Sequence, residues 1–124
     1  MVETLEPIFS DLRDRLLRSS AATTVALDEP GNLILKTPWL EPGKAEPAWF
    51  AALQLKKNYV SCHLMPLYAL PSLRDEIAAE LRRRMQGKSC FNFKKADPEL
   101  FDRLEDLIVT CAAAYAAPAS ATPH

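Results

Sequence analysis

Residues 49–65 read WFAALQLKKNYVSCHLM, in which two apolar runs flank the polar pair Lys57-Asn58. A two-residue polar connection between such runs is typical of a β-hairpin. We therefore predict a hairpin with Lys57-Asn58 at its tip. The residues that then face each other across the two strands are, pair by pair, Lys56 and Tyr59, Leu55 and Val60, Gln54 and Ser61, Leu53 and Cys62, Ala52 and His63, and Ala51 and Leu64.

The predicted pairing sorts the side chains onto two faces of the hairpin. The first face is apolar and consists of Trp49, Ala51, Leu53, Leu55, Val60, Cys62 and Leu64. The second face holds Gln54, Lys56, Tyr59, Ser61 and His63, with Phe50, Ala52 and Met65 among them. A slip of one residue would mix the two sets, so the sequence itself supports this register. We predict that the first face joins the core and that the second face is only partly buried from solvent.

The remaining elements follow from periodicity and from helix-end signals. The predicted elements are a helix from about Thr4 to Ser19, a hairpin of residues 23–27 and 33–37, an irregular loop from Pro38 to Pro47, a helix from Ser72 to about Met85 that stops at Gly87, a strand from Cys90 to Lys94, and a last helix with Asp97 as N-cap and an apolar stripe from Leu100 to Tyr115. Each apolar helix stripe needs a partner. We therefore predict an α+β fold, a two-layer sandwich with the N- and C-terminal helices packed on one face of an antiparallel sheet.

Composition sets further bounds. The 124 residues predict one domain, which we place at residues 3–116 with a disordered tail at 117–124. The net charge of −1 excludes binding to nucleic acid by bulk charge alone. The N-terminus has no secretion signal, and the longest apolar stretch, residues 107–117, is too short to cross a bilayer, so we predict no membrane association.

The three cysteines, Cys62, Cys90 and Cys111, are widely spaced and form no C-x-x-C motif. An odd number of separated cysteines fits reduced thiols better than a disulfide framework. We interpret them as small core residues and predict a cytoplasmic protein.

Charge is unevenly distributed along the chain. Residues 82–95 carry +6 with no acid, whereas residues 1–46 sum to −3 and residues 97–124 to −4. Lys56-Lys57 at the hairpin tip could extend this basic region towards an anionic partner. The alternative is a solvated surface in which Glu80 pairs with Arg84 along a helix.

The tripeptide Gly87-Lys88-Ser89 has the residues that end a phosphate-binding P-loop. Arg82 occupies the position of the earlier glycine, and the segment is predicted to join a helix to a strand rather than a strand to a helix. A P-loop is therefore not predicted. A looser site remains, in which backbone N–H groups beside Lys88 hold a carboxylate or a phosphate.

The second hairpin face suggests two kinds of chemistry. Tyr59, Ser61 and His63 alternate along one strand, and a histidine near its ordinary pKa can act as a base for a hydroxyl. Side chains two positions apart on a strand are about 6.5 to 7 Å apart at their roots, which does not ensure a Ser–His hydrogen bond. Cys62 and His63 point to opposite faces and cannot chelate one metal together.

Two blocks of the sequence resemble the signature blocks of the YdhG-like family, a domain of unknown function. The first comprises Lys56–Ser61 and His63–Pro66, and the second comprises Arg84–Lys94. The resemblance covers about residues 50–104 and implies a frataxin-like α/β sandwich; some members have been considered iron-handling proteins. This chain has Cys62 where the family commonly has an aromatic residue.

An iron-binding surface of the kind that this resemblance implies would use carboxylates of the first helix, namely Glu3, Glu6, Asp11 and Asp14. These acids alternate with Arg13, Arg15 and Arg18, which would oppose a dication. Iron therefore stands as an alternative ligand, and the sequence names no cofactor.

We predict a small binding module whose ligand or partner surface is the second hairpin face together with residues 87–94. Its predicted ligand-binding residues are Tyr59, Ser61, His63 and Lys88, which would contact a small anionic ligand or a protein partner. The alternatives are an iron-delivery protein of frataxin type and an enzyme that uses His63.

Overall fold

The computed structural model describes residues 5–20, 23–40, 45, 47–114 and 122–123. Its strands are β1 (Thr24–Glu29), β2 (Asn32–Leu40), β3 (Pro47–Leu55), β4 (Val60–Leu64), β5 (Cys90–Phe93) and β6 (Thr122–Pro123). Its helices are α1 (Glu6–Ser19), α2 (Met65–Ala69), a 3-10 helix (Pro71–Glu76), α3 (Ala79–Arg82) and α4 (Pro98–Ala114).

The strands form one antiparallel sheet in the order β1-β2-β3-β4-β5, and the short β6 pairs with the far end of β2. The β3–β4 register is the predicted one, with Gln54 opposite Ser61 and Leu53 opposite Cys62. The N–H of Lys56 donates to the carbonyl of Tyr59 (2.8 Å) and closes the hairpin. The predicted turn and its sorting of residues 51–64 are therefore confirmed.

Helices α1 and α4 share one core with the apolar face of the sheet. Ile8 and Leu12 from α1 and Phe101 and Leu104 from α4 are buried in the same cluster as Leu53. The α+β sandwich is therefore confirmed. The central row of the sheet in this core consists of Leu33, Leu53, Cys62 and Phe91, all fully buried.

The prediction for Trp49 and Phe50 is wrong. Trp49 was placed in the core and is 41% exposed, whereas Phe50 was placed on the wetter face and is 1% exposed. The cause is a bulge, because Leu35 pairs with Ala51 while the next residue, Lys36, pairs with Trp49. The extra residue Phe50 breaks the alternation of side chains at this point.

The predicted helix from Ser72 to about Met85 is also wrong. The segment forms a 3-10 helix and one α-helical turn, separated by Ile77 and Ala78 in extended conformation. Its apolar residues recur every four positions, which drifts about 40° per step around a regular helix. The break allows Leu73, Ile77 and Leu81 all to be buried. The guanidinium of Arg82 donates to the carbonyl of Ile77 (3.1 Å), so the broken end keeps a hydrogen-bond partner.

Most other predicted elements are confirmed. They are the first helix over its described residues, the first hairpin, the strand at Cys90 and the last helix. The N–H of Leu100 donates to Asp97 Oδ1 (3.2 Å), as expected of an N-cap. The predicted loop is shorter than expected, because β2 continues to Leu40 and β3 starts at Pro47. Residues 3–4 and 115–121 and residue 124 lie outside the described residues, and of the predicted tail only Thr122–Pro123 is described, as strand.

An ion-pair network joins α1 to α4. Arg15 is 8% exposed, and its guanidinium donates to Asp11 (2.9 Å) and Asp102 (2.7 Å) and lies over the ring of Phe101. Glu105 accepts two hydrogen bonds from Arg18, both 2.6 Å long. The hydrogen bonds from Arg18 are the main reason that the pKa of Glu105 is lowered to about 2.

Within the described ranges, no helix combines the length and the apolar character that a membrane span requires.

Candidate functional site: the outer sheet face and its basic edge

The outer face of the sheet, on the side opposite α1 and α4, carries two rows of side chains across β2 to β5. We call these residues the outer face. The polar row consists of Asn32, Gln54, Ser61 and Asn92, and the mixed row consists of Ile34, Ala52, His63 and Cys90. Most of them are half-buried, in contrast to the fully buried row on the core side.

His63 is fixed by a hydrogen bond to Ser89. Ser89 Oγ lies 3.1 Å from His63 Nδ1, and Ser89 is only 5% exposed. Over the described residues this nitrogen is the one hydrogen-bond partner of the Ser89 hydroxyl. A buried O–H group needs an acceptor, so we assign Ser89 as the donor and place the imidazole proton on Nε2.

Burial also lowers the pKa of His63 below its ordinary value of 6.5, which favours the neutral ring at pH 7. Neutral His63 with its proton on Nε2 has one remaining polar group, an N–H donor. With this proton placement, Nε2 can donate a hydrogen bond to an acceptor oxygen, and it cannot act as a general base.

Ser61 has a different partner. Its Oγ lies 3.1 Å from Cys90 Sγ, so Ser61 and His63 are each bound to a residue at the start of β5 and not to each other. The Ser–His pair on which the enzyme alternative depends is therefore not formed.

The structure separates the other two predicted site residues from this pair. Tyr59 is half-buried and lies just before β4 at the hairpin turn, two residues away from Ser61. Lys88 is exposed in the turn that Gly87 begins with a positive φ of 83°, and it directly precedes Ser89. Of the predicted set, Ser61 and His63 share the outer face and Lys88 borders it.

The chain just before β5 adds an edge to the sheet. The N–H of Asn92 donates to the carbonyl of Arg84 and the N–H of Gln86 to the carbonyl of Cys90, both at 2.8 Å. Met85 forms a β-bridge with Phe91 between these bonds. This pairing brings the arginines of residues 82–84 beside the lysines that follow β5.

A groove of about 510 Å³ lies at this edge. Four exposed cations line it, namely Arg83, Arg84, Lys94 and Lys95, and we call it the basic groove. Apolar side chains of Met85, Phe93 and Leu100 also line it. The basic segment that the sequence singled out thus forms a concave surface, whose lining does not include Lys88.

The described residues offer little to a metal ion. No group of three or more His, Cys, Asp or Glu side chains in them is arranged to hold one. Asp11 accepts a hydrogen bond from Arg15, and Asp14 lies 3.6 Å from Arg13, so these two carboxylates of the iron alternative already face cations. Glu3 lies outside the described residues.

The three cysteines differ in their surroundings. Cys62 and Cys111 are fully buried, as predicted, and burial raises the pKa of both thiols, that of Cys111 to about 12. Cys90 is half-buried on the outer face, so its interpretation as a core residue is wrong. Its position follows from the pairing of His63 with Cys90.

We compared the chain with family models, with curated proteins and with solved structures. No family model, curated protein or solved structure matches the chain.

Sequence reasoning included residues 87–94 in the predicted surface, but it did not place their side chains on the outer face. The alternation from Cys90 to Phe93 was visible, but the register of β5 against β4 depends on the whole connection from Met65 to Ser89. No short turn fixes that register as Lys57-Asn58 fixes the hairpin. Ser89, Cys90 and Asn92 were therefore not assigned to the outer face.

Proposed function

We propose that the protein is a small binding module that holds a ligand on its outer face, next to Ser61 and His63. The observation that carries this proposal is the 3.1 Å contact between Ser89 Oγ and His63 Nδ1, which holds the imidazole in place on the outer face. With Ser89 assigned as the donor, the ring keeps one N–H group that can donate to a ligand. A polar side chain held in place by a second residue favours binding, because less conformational entropy is lost when the ligand arrives.

The chemistry of the surface favours a ligand with acceptor oxygens. His63 Nε2–H and the side-chain amides of Gln54 and Asn92 are donors, and Lys88 at the border adds a positive charge. A small carboxylate matches this combination, with its oxygens towards His63 and its charge towards Lys88. Tyr59, at the hairpin turn, would contact only a ligand that extends along β4.

The other proposals from the sequence find less support. Ser61 contacts Cys90 rather than His63, so the contact that the enzyme alternative needs is not formed, and Asp11 and Asp14 of the iron alternative face arginines. Membership of the YdhG-like family and a cytoplasmic location remain proposals that rest on the sequence blocks and on the cysteine pattern.

The state of His63 provides the first test. We expect nitrogen-15 NMR of the imidazole to show the Nε2–H tautomer at pH 7 and a pKa below 6.5. In Ser89→Ala the acceptor at Nδ1 loses its donor, so we expect the two tautomers to mix and the pKa to move back towards 6.5. A dominant Nδ1–H tautomer in the unchanged protein would contradict the arrangement that carries the proposal.

Ligand binding is tested by titrating succinate and citrate while amide chemical shifts are followed. We expect the shifts to change at Ser61, His63 and Asn92, and the affinity to fall about tenfold in Lys88→Ala. Lys57→Ala removes an equal charge at the opposite end of the hairpin and serves as the matched control. Shift changes spread away from the outer face, or an equal loss in Lys57→Ala, would refute the proposal.

A further inference from the structure

We propose that the basic groove binds a small phosphorylated organic molecule. This inference goes beyond the proposed function, because the four cations that carry it are separate from Tyr59, Ser61, His63 and Lys88. It depends on the shape, the charge and the apolar lining of the groove.

The cations of the groove have no carboxylate partner. Among the ion pairs of the described residues, none involves Arg83, Arg84, Lys94 or Lys95. Asp97 is the one acid in the described lining, and its carboxylate already accepts the N–H of Leu100. Four like charges around one concavity repel each other, and a multivalent anion between them relieves that repulsion.

Phosphate esters fit this charge set best. Each guanidinium can donate two parallel hydrogen bonds to phosphate oxygens, and a lysine ammonium adds a point charge with adjustable position. Arg83 and Arg84 stand before β5 while Lys94 and Lys95 follow it, so cations approach the groove from two separate segments. Such an arrangement suits an anion with two or more negative charges.

The size and lining of the groove indicate a small organic ligand rather than a nucleic acid. Its volume of about 510 Å³ falls within the range of about 300 to 1,000 Å³ typical of small-molecule sites. Met85 is half-buried and offers apolar contact to a carbon skeleton, whereas Phe93 and Leu100 are 2% and 6% exposed and add little surface.

The inference is tested by calorimetric titration with two probes, inorganic pyrophosphate and ADP. We expect ADP to bind at least as tightly as pyrophosphate, because its nucleoside gains the apolar contacts. The double variant Arg84→Gln/Lys94→Gln should weaken ADP at least about 30-fold, since it removes two charge-assisted contacts. Lys56→Gln/Lys57→Gln changes the net charge equally at the hairpin tip, which lies beside the groove but does not line it, and we expect it to weaken ADP several-fold less than the groove variant does.

Three results would overturn the inference. They are unchanged ADP affinity in the groove variant, an equal loss in the hairpin-tip control, and tighter binding of a single-stranded DNA oligonucleotide than of ADP through the same two residues. Circular dichroism checks that both variants fold. Succinate binding in the groove variant is measured in parallel through the shifts of Ser61 and His63, because Asn92 lines the groove as well as the outer face.

Discussion

Truncation of Leu53 to alanine is expected to lower the free energy of unfolding by about 3 kcal/mol, whereas truncation of its neighbour Gln54 should change it by less than about 0.5 kcal/mol. Leu53 is fully buried in the central row of the core, between Leu33 and Cys62. Gln54 is half-buried on the outer face, where its amide donates to Asn32 (3.3 Å). The difference arises because adjacent residues of a strand point to opposite faces.

Denaturation by urea, followed by circular dichroism, measures both changes in the free energy of unfolding. Gln54→Ala is the matched control for Leu53→Ala, since the two positions are adjacent on β3 and both pair with β2 and β4. Equal losses at the two positions would contradict the sorting of the faces.

The second large effect is expected at Arg15, the cation that joins α1 to α4. Arg15→Ala should lower the free energy of unfolding by about 2 to 3 kcal/mol, because it removes a buried side chain whose guanidinium lies over the ring of Phe101 and donates to Asp11 and Asp102. The loss stays below that of a fully buried pair, since both carboxylates remain exposed enough to be hydrated.

Arg15→Met separates packing from charge. Methionine keeps an apolar stem in this buried position and loses the hydrogen bonds and the guanidinium over Phe101, so we expect about half of the loss seen for Arg15→Ala. The same urea denaturation measures both variants. A loss in Arg15→Met as large as in Arg15→Ala would show that the charge contributes nearly all of the stabilisation and would contradict the role assigned to the buried stem.

The parts of the fold that the sequence predicted well are those set by local signals. Lys57-Asn58 fixes the β3–β4 register because the turn is short and the two faces differ in polarity. Asp97 and Pro98 fix the start of α4 in the same way, through one side-chain hydrogen bond and one residue with a suitable backbone.

The errors arose where a tertiary requirement overrode a local pattern. The bulge at Phe50 depends on the pairing of β3 with β2, across a connection that has no short turn to set its register. The interruption at Ile77 and Ala78 depends on where Leu73 and Leu81 must meet the core. The apolar residues of this segment recur every four positions, which by itself predicts a regular helix. This spacing does not tell where the edge of the sheet lies, and so it does not show where the helix must break.

In the candidate sites, too, some features follow from local sequence signals and others depend on tertiary structure. Ser61 and His63 were assigned to the outer face from the hairpin alone, and the structure confirms their common side. The partners Ser89 and Cys90 come from a distant segment, so only the assembled sheet brings them to that face. The basic groove was foreseen as a charged segment, but its concave shape depends on Arg84 pairing beside Asn92.

The central claim is that strands β4 and β5 carry a buried apolar face on one side and the half-buried outer face on the other. The most direct test of this claim is a count of the thiols that react in the native protein. We expect one thiol to react rapidly with a disulfide reagent and mass spectrometry to locate the label at Cys90, on the outer face. Cys62 and Cys111 should react only after denaturant is added, because both are fully buried. Rapid native labelling of Cys62 would contradict the account.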